Sequence, residues 1–256
     1  MSSATGSTIG TASVAQAGTR GEAPPSGRLL VLGLLGISAA CWWVTVRAEM
    51  SMGAGAPAFL LGWLTMMTAM MLPAVLPAVR LYARASKRTA APTPFFLAGY
   101  LLVWGALGVP AYLAWRALAP AVMDGELWVG RLAGGALLLA ALYQVTPYKD
   151  ACLSRCRTPL GMFLRVQGSL RRPATAVRLG AQHGTYCVGC CWAFMVVLVA
   201  VGVMEPLWMV AVAALVFVEK ALPAGERAVR PIALLLAVAG AVLLLTPQHL
   251  SALTSA

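Results

Sequence analysis

Acidic residues are scarce in this 256-residue chain: eight Asp and Glu stand against nineteen Lys and Arg, with only two histidines. Charged residues of both signs make up 11% of the sequence, where soluble domains carry about a quarter. No polar coat is left to hold such a chain in water. The few carboxylates fall mostly between apolar stretches, and none form the pair that glycoside hydrolysis needs. No hydrolytic Ser/His/acid triad and no glycine-rich phosphate loop can be marked, which sets aside those two reaction classes. A proton-coupled carrier also lacks an obvious set of relay residues inside its apolar runs. These absences point away from an enzyme.

What the chain has instead is apolar length. It is 60% hydrophobic, with a mean hydropathy of +0.81. Seven apolar runs cover Leu29–Val46, Pro57–Leu81, Phe95–Ala119, Leu127–Thr146, Thr185–Met204, Pro206–Leu222 and Pro231–Pro247. Crossing ~30 Å of hydrocarbon takes ~20 helical residues, and most runs reach that. The sixth is interrupted near its end by Glu219 and Lys220, and the seventh is short. The pattern predicts an all-α, polytopic transmembrane bundle of about seven spans, forming one domain over residues 28–247. A Ser-, Thr-, Ala- and Gly-rich tail over 1–27 is predicted to be disordered, and 248–256 forms a short C-terminal tail. The first run is too long for the apolar core of a cleaved signal peptide. The gap from Pro147 to Gly184, broken by Pro159 and Pro173, predicts one or two short amphipathic helices at the cytoplasmic surface.

The formal charge of +11 would suit a nucleic-acid partner if the cations were gathered on one stretch, and they are not. They sit between the runs, sixteen of the nineteen in alternate gaps, with only Arg47, Arg116 and Arg131 on the other side. Such asymmetry marks the cytoplasmic face. It predicts an integral membrane protein with its amino terminus inside and its carboxyl terminus outside, a lipid bilayer as partner and no nucleic acid.

Five of the six cysteines, Cys152, Cys156, Cys187, Cys190 and Cys191, fall within forty residues, and His183 lies among them. A lone membrane cysteine such as Cys41 reads as a small packing residue, but this grouping has ligand spacing. At ~100° per residue, His183, Cys187, Cys190 and Cys191 share one helical face if the fifth helix already begins near His183. Cys152 and Cys156 are four apart, so one short helix presents both sulfurs together. Imidazole and thiolate make a soft donor set, suited to Cu(I) or Zn(II) and poorly matched to Mg(II) or Ca(II).

The second run contains MMTAMMLP, in which Met66, Met67, Met70 and Met71 form two stripes at a spacing of four. Methionine usually fills core gaps. Counting ~1.5 Å per residue from each face puts Met67 near the midplane and Met71 level with Cys191. Met67, Met70 and Met71 therefore form a candidate thioether ladder leading to the thiolates if the two helices are neighbours. Gln144, Lys149, Glu219 and Lys220 lie at the same depth. They read either as an interfacial cap, with Lys220 snorkelling and Glu219 held by a loop arginine, or as an outer shell balancing the charge of the site.

The segments MMTAMMLP, GYLLVWGALG, YQVTPYKDACLSRCRTPLG and HGTYCVGCCWAFMVVLVAVGVMEPLWM, followed by Glu219-Lys220, resemble a bacterial family of predicted metal-binding integral membrane proteins grouped under a domain of unknown function. The likeness runs from about Ala39 to Lys220 and is most specific at Cys152/Cys156 and Cys187–Trp192. Glu205 departs from it, standing where an uncharged polar residue is expected. The resemblance implies a multi-pass membrane protein that binds metal.

The expected function is to bind, buffer or move a soft metal ion, Cu(I) ahead of Zn(II), with no organic cofactor. A metallochaperone or a metal-exporting protein is the expected partner. The alternative is a membrane thiol-disulfide oxidoreductase working through Cys187 and Cys190, since a thiol near a helix amino terminus is activated. The charge distribution places those sulfurs on the reducing side, which favours metal.

Overall fold

The structure, a computed structural model, describes residues 25–47, 55–86, 93–124, 126–164, 170, 172–201, 206–222 and 225–248. Of the predicted tails over 1–27 and 248–256, residues 1–24 and 249–256 lie outside the described residues, as does Glu205, while residues 25–27 open the first helix. Among the described residues every regular element is helical. They are α1 (Pro25–Arg47), α2 (Ala56–Ala85), α3 (Thr93–Met123), α4 (Leu127–Gln144), α5 (Pro147–Arg157), α6 (Leu160–Leu164), α7 (Pro173–Val201), α8 (Pro206–Ala221) and α9 (Gly225–Leu245).

Proline sets several of the starts. It opens α5, α7 and α8 and stands in the first turn of α2, where its missing N–H costs nothing and its fixed φ suits the helix. Thr146 caps α5, its Oγ1 accepting from the Lys149 backbone N–H at 3.3 Å. The fifth run was expected to begin at Thr185, but the helix begins at Pro173. The polar stretch around Gln182 and His183 hid this start, because His183 is buried between helices. Of the one or two short helices expected in the Pro147–Gly184 gap, the structure has two, α5 and α6, followed by the early turns of α7.

Among the described residues, six helices are long and apolar enough to cross a membrane: α1, α2, α3, α4, α7 and α9. The sixth run, α8, is 16 residues, about 24 Å, and falls short of that length. Nevertheless it carries the chain back along α7. Its last turn reaches Cys187, in the middle of α7, and is held by Arg157 of α5. The outward faces are apolar, with Leu61, Leu102, Leu113, Leu139, Leu234 and Leu245 exposed.

Packing is closest where glycine removes the side chain. On α3 and α7, a Cβ at Gly99 would overlap the carbonyl of Val177, and one at Gly180 the carbonyl of Phe96. Gly184 faces Val103 and the Tyr100 carbonyl, at 3.1 and 3.2 Å from where a Cβ would stand. Gly130, Gly134 and Gly240 do the same between the antiparallel helices α4 and α9. Between apolar helices in lipid, such small residues let backbones meet and gain dispersion contact. The close pair α3/α7, with α5 and α8 packed on α7, frames the site.

Candidate metal centre

Four cysteines and one histidine of the predicted set meet where α5, α7 and α8 pack. The early start of α7 puts His183, Cys187, Cys190 and Cys191 on one continuous helix, as the angular argument required, and all four are buried. Cys156, on α5, reaches the same cluster. Its sulfur lies 3.9 Å from His183 Nε2 and interacts with the sulfurs of Cys187 and Cys190. Those hydrogen bonds, together with burial, hold the Cys156 thiol well above its ordinary pKa. Cys152, one turn earlier and half-buried, packs over Gly189; a Cβ there would stand 2.7 Å from its sulfur. Burial raises the Cys152 thiol as well. Gly189 thus lets α5 lie against α7, and the hydroxyl of Tyr143, on α4, donates to the Gly189 carbonyl from the neighbouring helix.

The sulfurs of α7 do not share one hydrogen-bonding role. Cys190 and Cys191 both turn back along the helix to the Cys187 carbonyl, at 3.1 and 2.9 Å. The Cys187 sulfur receives the Lys220 ammonium at 2.9 Å and the Tyr100 hydroxyl at 2.9 Å. Lys220 also lies 3.5 Å from the Cys191 sulfur. Lys220 therefore does not snorkel: it points inward and is 7% exposed.

Glu219, its neighbour, is 1% exposed, and the expected loop arginine is not its carboxylate partner. Lys149 Nζ pairs with Oε2 at 2.6 Å and Gln144 Nε2 donates to Oε1 at 2.8 Å. The Lys149 ammonium also stacks on Phe194 of α7, 4.8 Å from the ring centre. Arg157 acts instead on backbone, donating to the carbonyls of Glu219 and Leu222, which a helix end leaves without intrahelical partners. It fixes the last turn of α8, and so the position of Lys220.

All six cysteines are free thiols. Among the described residues, no three His, Cys, Asp or Glu side chains converge as a chelating group. Two observations bear on the cation this donor set can take. His183 is 1% exposed and its Nδ1 has no hydrogen-bond partner, an arrangement that costs free energy in a buried polar atom unless a ligand satisfies it. Sulfur and imidazole are, moreover, soft donors. The residues fit a soft ion.

Met67, Met70 and Met71 are buried in the same continuous core, but the thioether helix is not packed broadly on the thiolate helix. Instead α3 and α8 each pack on both α2 and α7. Sequence reasoning missed Tyr100, Tyr143, Gly189 and Arg157. A lone tyrosine inside GYLLVWGALG is the only trace that Tyr100 left in the sequence. Rings of Phe96 and Tyr100 flank His183 at centroid distances of 6.1 and 6.0 Å, giving the centre a dry aromatic wall.

Residues 60–243 match a family model, PpoB2, described as copper chaperone. No curated protein and no solved structure matches the chain.

Proposed function

This chain belongs to the copper chaperone family, its match covering most of the sequence, and from that premise we propose that it is an integral membrane protein that accepts Cu(I) at the Cys/His centre and passes it to a partner. Cys187, Cys190, Cys191, Cys156 and His183 are the primary ligands, and Cys152 takes or releases the ion at the half-buried edge of α5. Met67, Met70 and Met71 serve as weaker ligands along α2. Cu(I) is preferred over Zn(II), and no organic cofactor is required. The partner is a soluble metallochaperone or a metal exporter that presents sulfur ligands of its own.

The observation that carries this reading is that Cys156 of α5 meets the cysteine face of α7, its sulfur interacting with those of Cys187 and Cys190 and lying 3.9 Å from Nε2 of the buried His183, whose Nδ1 has no partner. Two thiolates suffice for a cuprous ion, and a site walled by Phe96, Tyr100 and Phe194 excludes the water that would promote its oxidation. In this reading the chain makes seven passes, α8 being a short one, with the amino terminus in the cytoplasm and the carboxyl terminus outside the inner membrane. Arg80, Arg84, Arg155, Arg157, Arg178, Arg227 and Arg230 then all lie on the cytoplasmic side, as does the centre's open edge at Cys152.

The test is elemental analysis of protein purified anaerobically in detergent and offered Cu(I). The wild type should hold close to one copper per chain, and the double change Cys187→Ser with Cys190→Ser should lose it. A wild type that takes up no copper under reducing conditions ends the proposal. Labelling of single cysteines introduced at residues 84 and 116, from each side of sealed vesicles, tests the orientation.

A further inference from the structure

Lys220 is out of place for a lysine near a helix end in an apolar protein. Such a side chain ordinarily extends to the nearest polar surface, which here is one residue away at the end of α8. Instead its ammonium sits 2.9 Å from the Cys187 sulfur and 3.5 Å from that of Cys191. The neighbouring cations are committed elsewhere: Lys149 pairs with Glu219, Arg157 binds carbonyls at the end of α8, and Arg155 lies over the Tyr186 ring. Lys220 is thus a monovalent cation held on sulfur among the candidate ligands.

We propose that Lys220 is a built-in placeholder for the transported ion, its ammonium holding the position beside Cys187 and Cys191 that Cu(I) takes, so that the metal enters by exchanging one monovalent cation for another. The proposal deepens the copper-binding reading and rests on it.

Three features of the site support the exchange. The first is size. An ammonium bonds at hydrogen-bond length, whereas a soft metal draws thiolates in to about 2.3 Å. A centre spread around Lys220 is therefore wider than a metal centre, in keeping with the lack of a converged chelating group among the described residues and with Cys190 and Cys191 bonding to their own helix.

The second is charge. At the Cys187 and Cys191 sulfurs the exchange of ammonium for Cu(I) is itself charge-neutral, and any proton that Cys156 gives up counts the same for either metal, so a divalent ion would add one charge more where desolvation is costly. Lys220 thereby favours a monovalent metal.

The third is a way out. Lys220 stands in the last turn of α8, and its four-carbon stem can carry the ammonium to the adjacent surface while the stem stays on apolar atoms. Glu219 faces the other way, tied to Lys149 and Gln144, and does not hold it.

The experiment is reductive methylation of the full-length protein in detergent, with and without one equivalent of Cu(I), read residue by residue by mass spectrometry. Lys220 should be protected without copper and labelled with it. Lys149, buried in its pair with Glu219, should stay protected in both and so reports that the fold is intact. Lys220 remaining protected in protein shown to hold copper overturns the placeholder role, because the lysine then stays on sulfur as a fixed counter-ion. Lys220→Leu, which removes the ammonium without adding a thioether, supplies a second measurement. With the competitor removed, it should bind Cu(I) at least as tightly as the wild type in a chelator competition, and weaker binding by a variant whose Lys149 is still protected also overturns the role. If the wild type takes up no copper, the copper-binding reading itself fails and the placeholder falls with it.

Discussion

Gly180 of α7 lies so close to the carbonyl of Phe96 in α3 that a single added Cβ would overlap it. This approach decides how far the Tyr100 hydroxyl reaches across to Cys187 and how tightly Phe96 and Tyr100 enclose His183. The smallest enlargement, Gly180→Ala, forces the two backbones apart. It is expected to cost about 1–3 kcal/mol, the range for overpacking a well-filled interior, and to lower copper occupancy with it. Gly36, which has open space where its Cβ would go, is the control: Gly36→Ala should leave both unchanged. Thermal unfolding in detergent and metal content measured on the same samples check the pair.

Lys149 and Glu219 form a charge pair in which both side chains are 1% exposed. Removing one partner strands the other, a loss of about 3–5 kcal/mol for a buried pair. Lys149→Met alone is therefore expected to unfold the α5/α8 contact. The double change Lys149→Met with Glu219→Gln removes the stranded charge, keeps the Gln144 hydrogen bond possible, and should recover most of the stability. Unfolding midpoints of the three proteins decide it; equal losses in single and double variants would show that the pair does not act as one unit.

The helices were legible because their signal is length and hydropathy, which need no knowledge of neighbours. The cysteine–histidine set was legible for a related reason: spacing along one helix fixes a face, and the only missing condition was where that helix began. Pro173 met it, twelve residues before Thr185, where polarity placed the start of the apolar run. The role of Lys220 could not be read in the same way. A lysine at a helix end snorkels by default, and only the arrival of Cys187 from another helix gives it reason to turn inward. Tyr100 and Gly189 were hidden likewise, one being a lone hydroxyl in an apolar run and the other useful only because Cys152 packs above it. The thioether ladder depended on two helices being neighbours, and α3 and α8 instead pack on both.

The two cysteines of α5 should separate in their effects. Cys156 is buried against Cys187, Cys190 and His183, whereas Cys152 is half-buried over Gly189. Cys156→Ser is expected to weaken Cu(I) affinity by about tenfold or more, roughly 1.4 kcal/mol. Cys152→Ser should chiefly slow exchange with a competing chelator, and Cys41→Ser, on α1, should do neither. Equilibrium and stopped-flow competition against a colorimetric Cu(I) chelator distinguish the three.

Acid should empty the centre. Cys156 is held well above the ordinary thiol pKa by its hydrogen bonds to Cys187 and Cys190 and by burial, and Cys152 is raised by burial. Both therefore carry protons at neutral pH, and a metal that binds them must displace those protons. Because the folded-state values are raised, metal gains on the proton as pH rises and loses as it falls. Each proton displaced makes apparent affinity change by about tenfold per pH unit. Competition titrations at pH 6, 7 and 8 should give tightening with pH in the wild type and a shallower slope in Cys156→Ser. A flat profile in both would mean that neither thiol is a ligand.

Met67, Met70 and Met71 offer a separation of packing from transit. All three are buried in α2, and leucine has nearly the same volume, so changing them to Leu should cost less than about 1.5 kcal/mol each. If their thioethers pass the ion along α2, the triple variant keeps its copper stoichiometry, because the thiolates and His183 still bind. Its rate of delivery to an acceptor from copper-loaded protein should fall. If the methionines only pack, stability, stoichiometry and rate all stay near wild type. Stopped-flow transfer from vesicle-reconstituted protein to a trapped chelator on the far side reads the difference, and an unchanged rate in the triple variant removes α2 from the copper path.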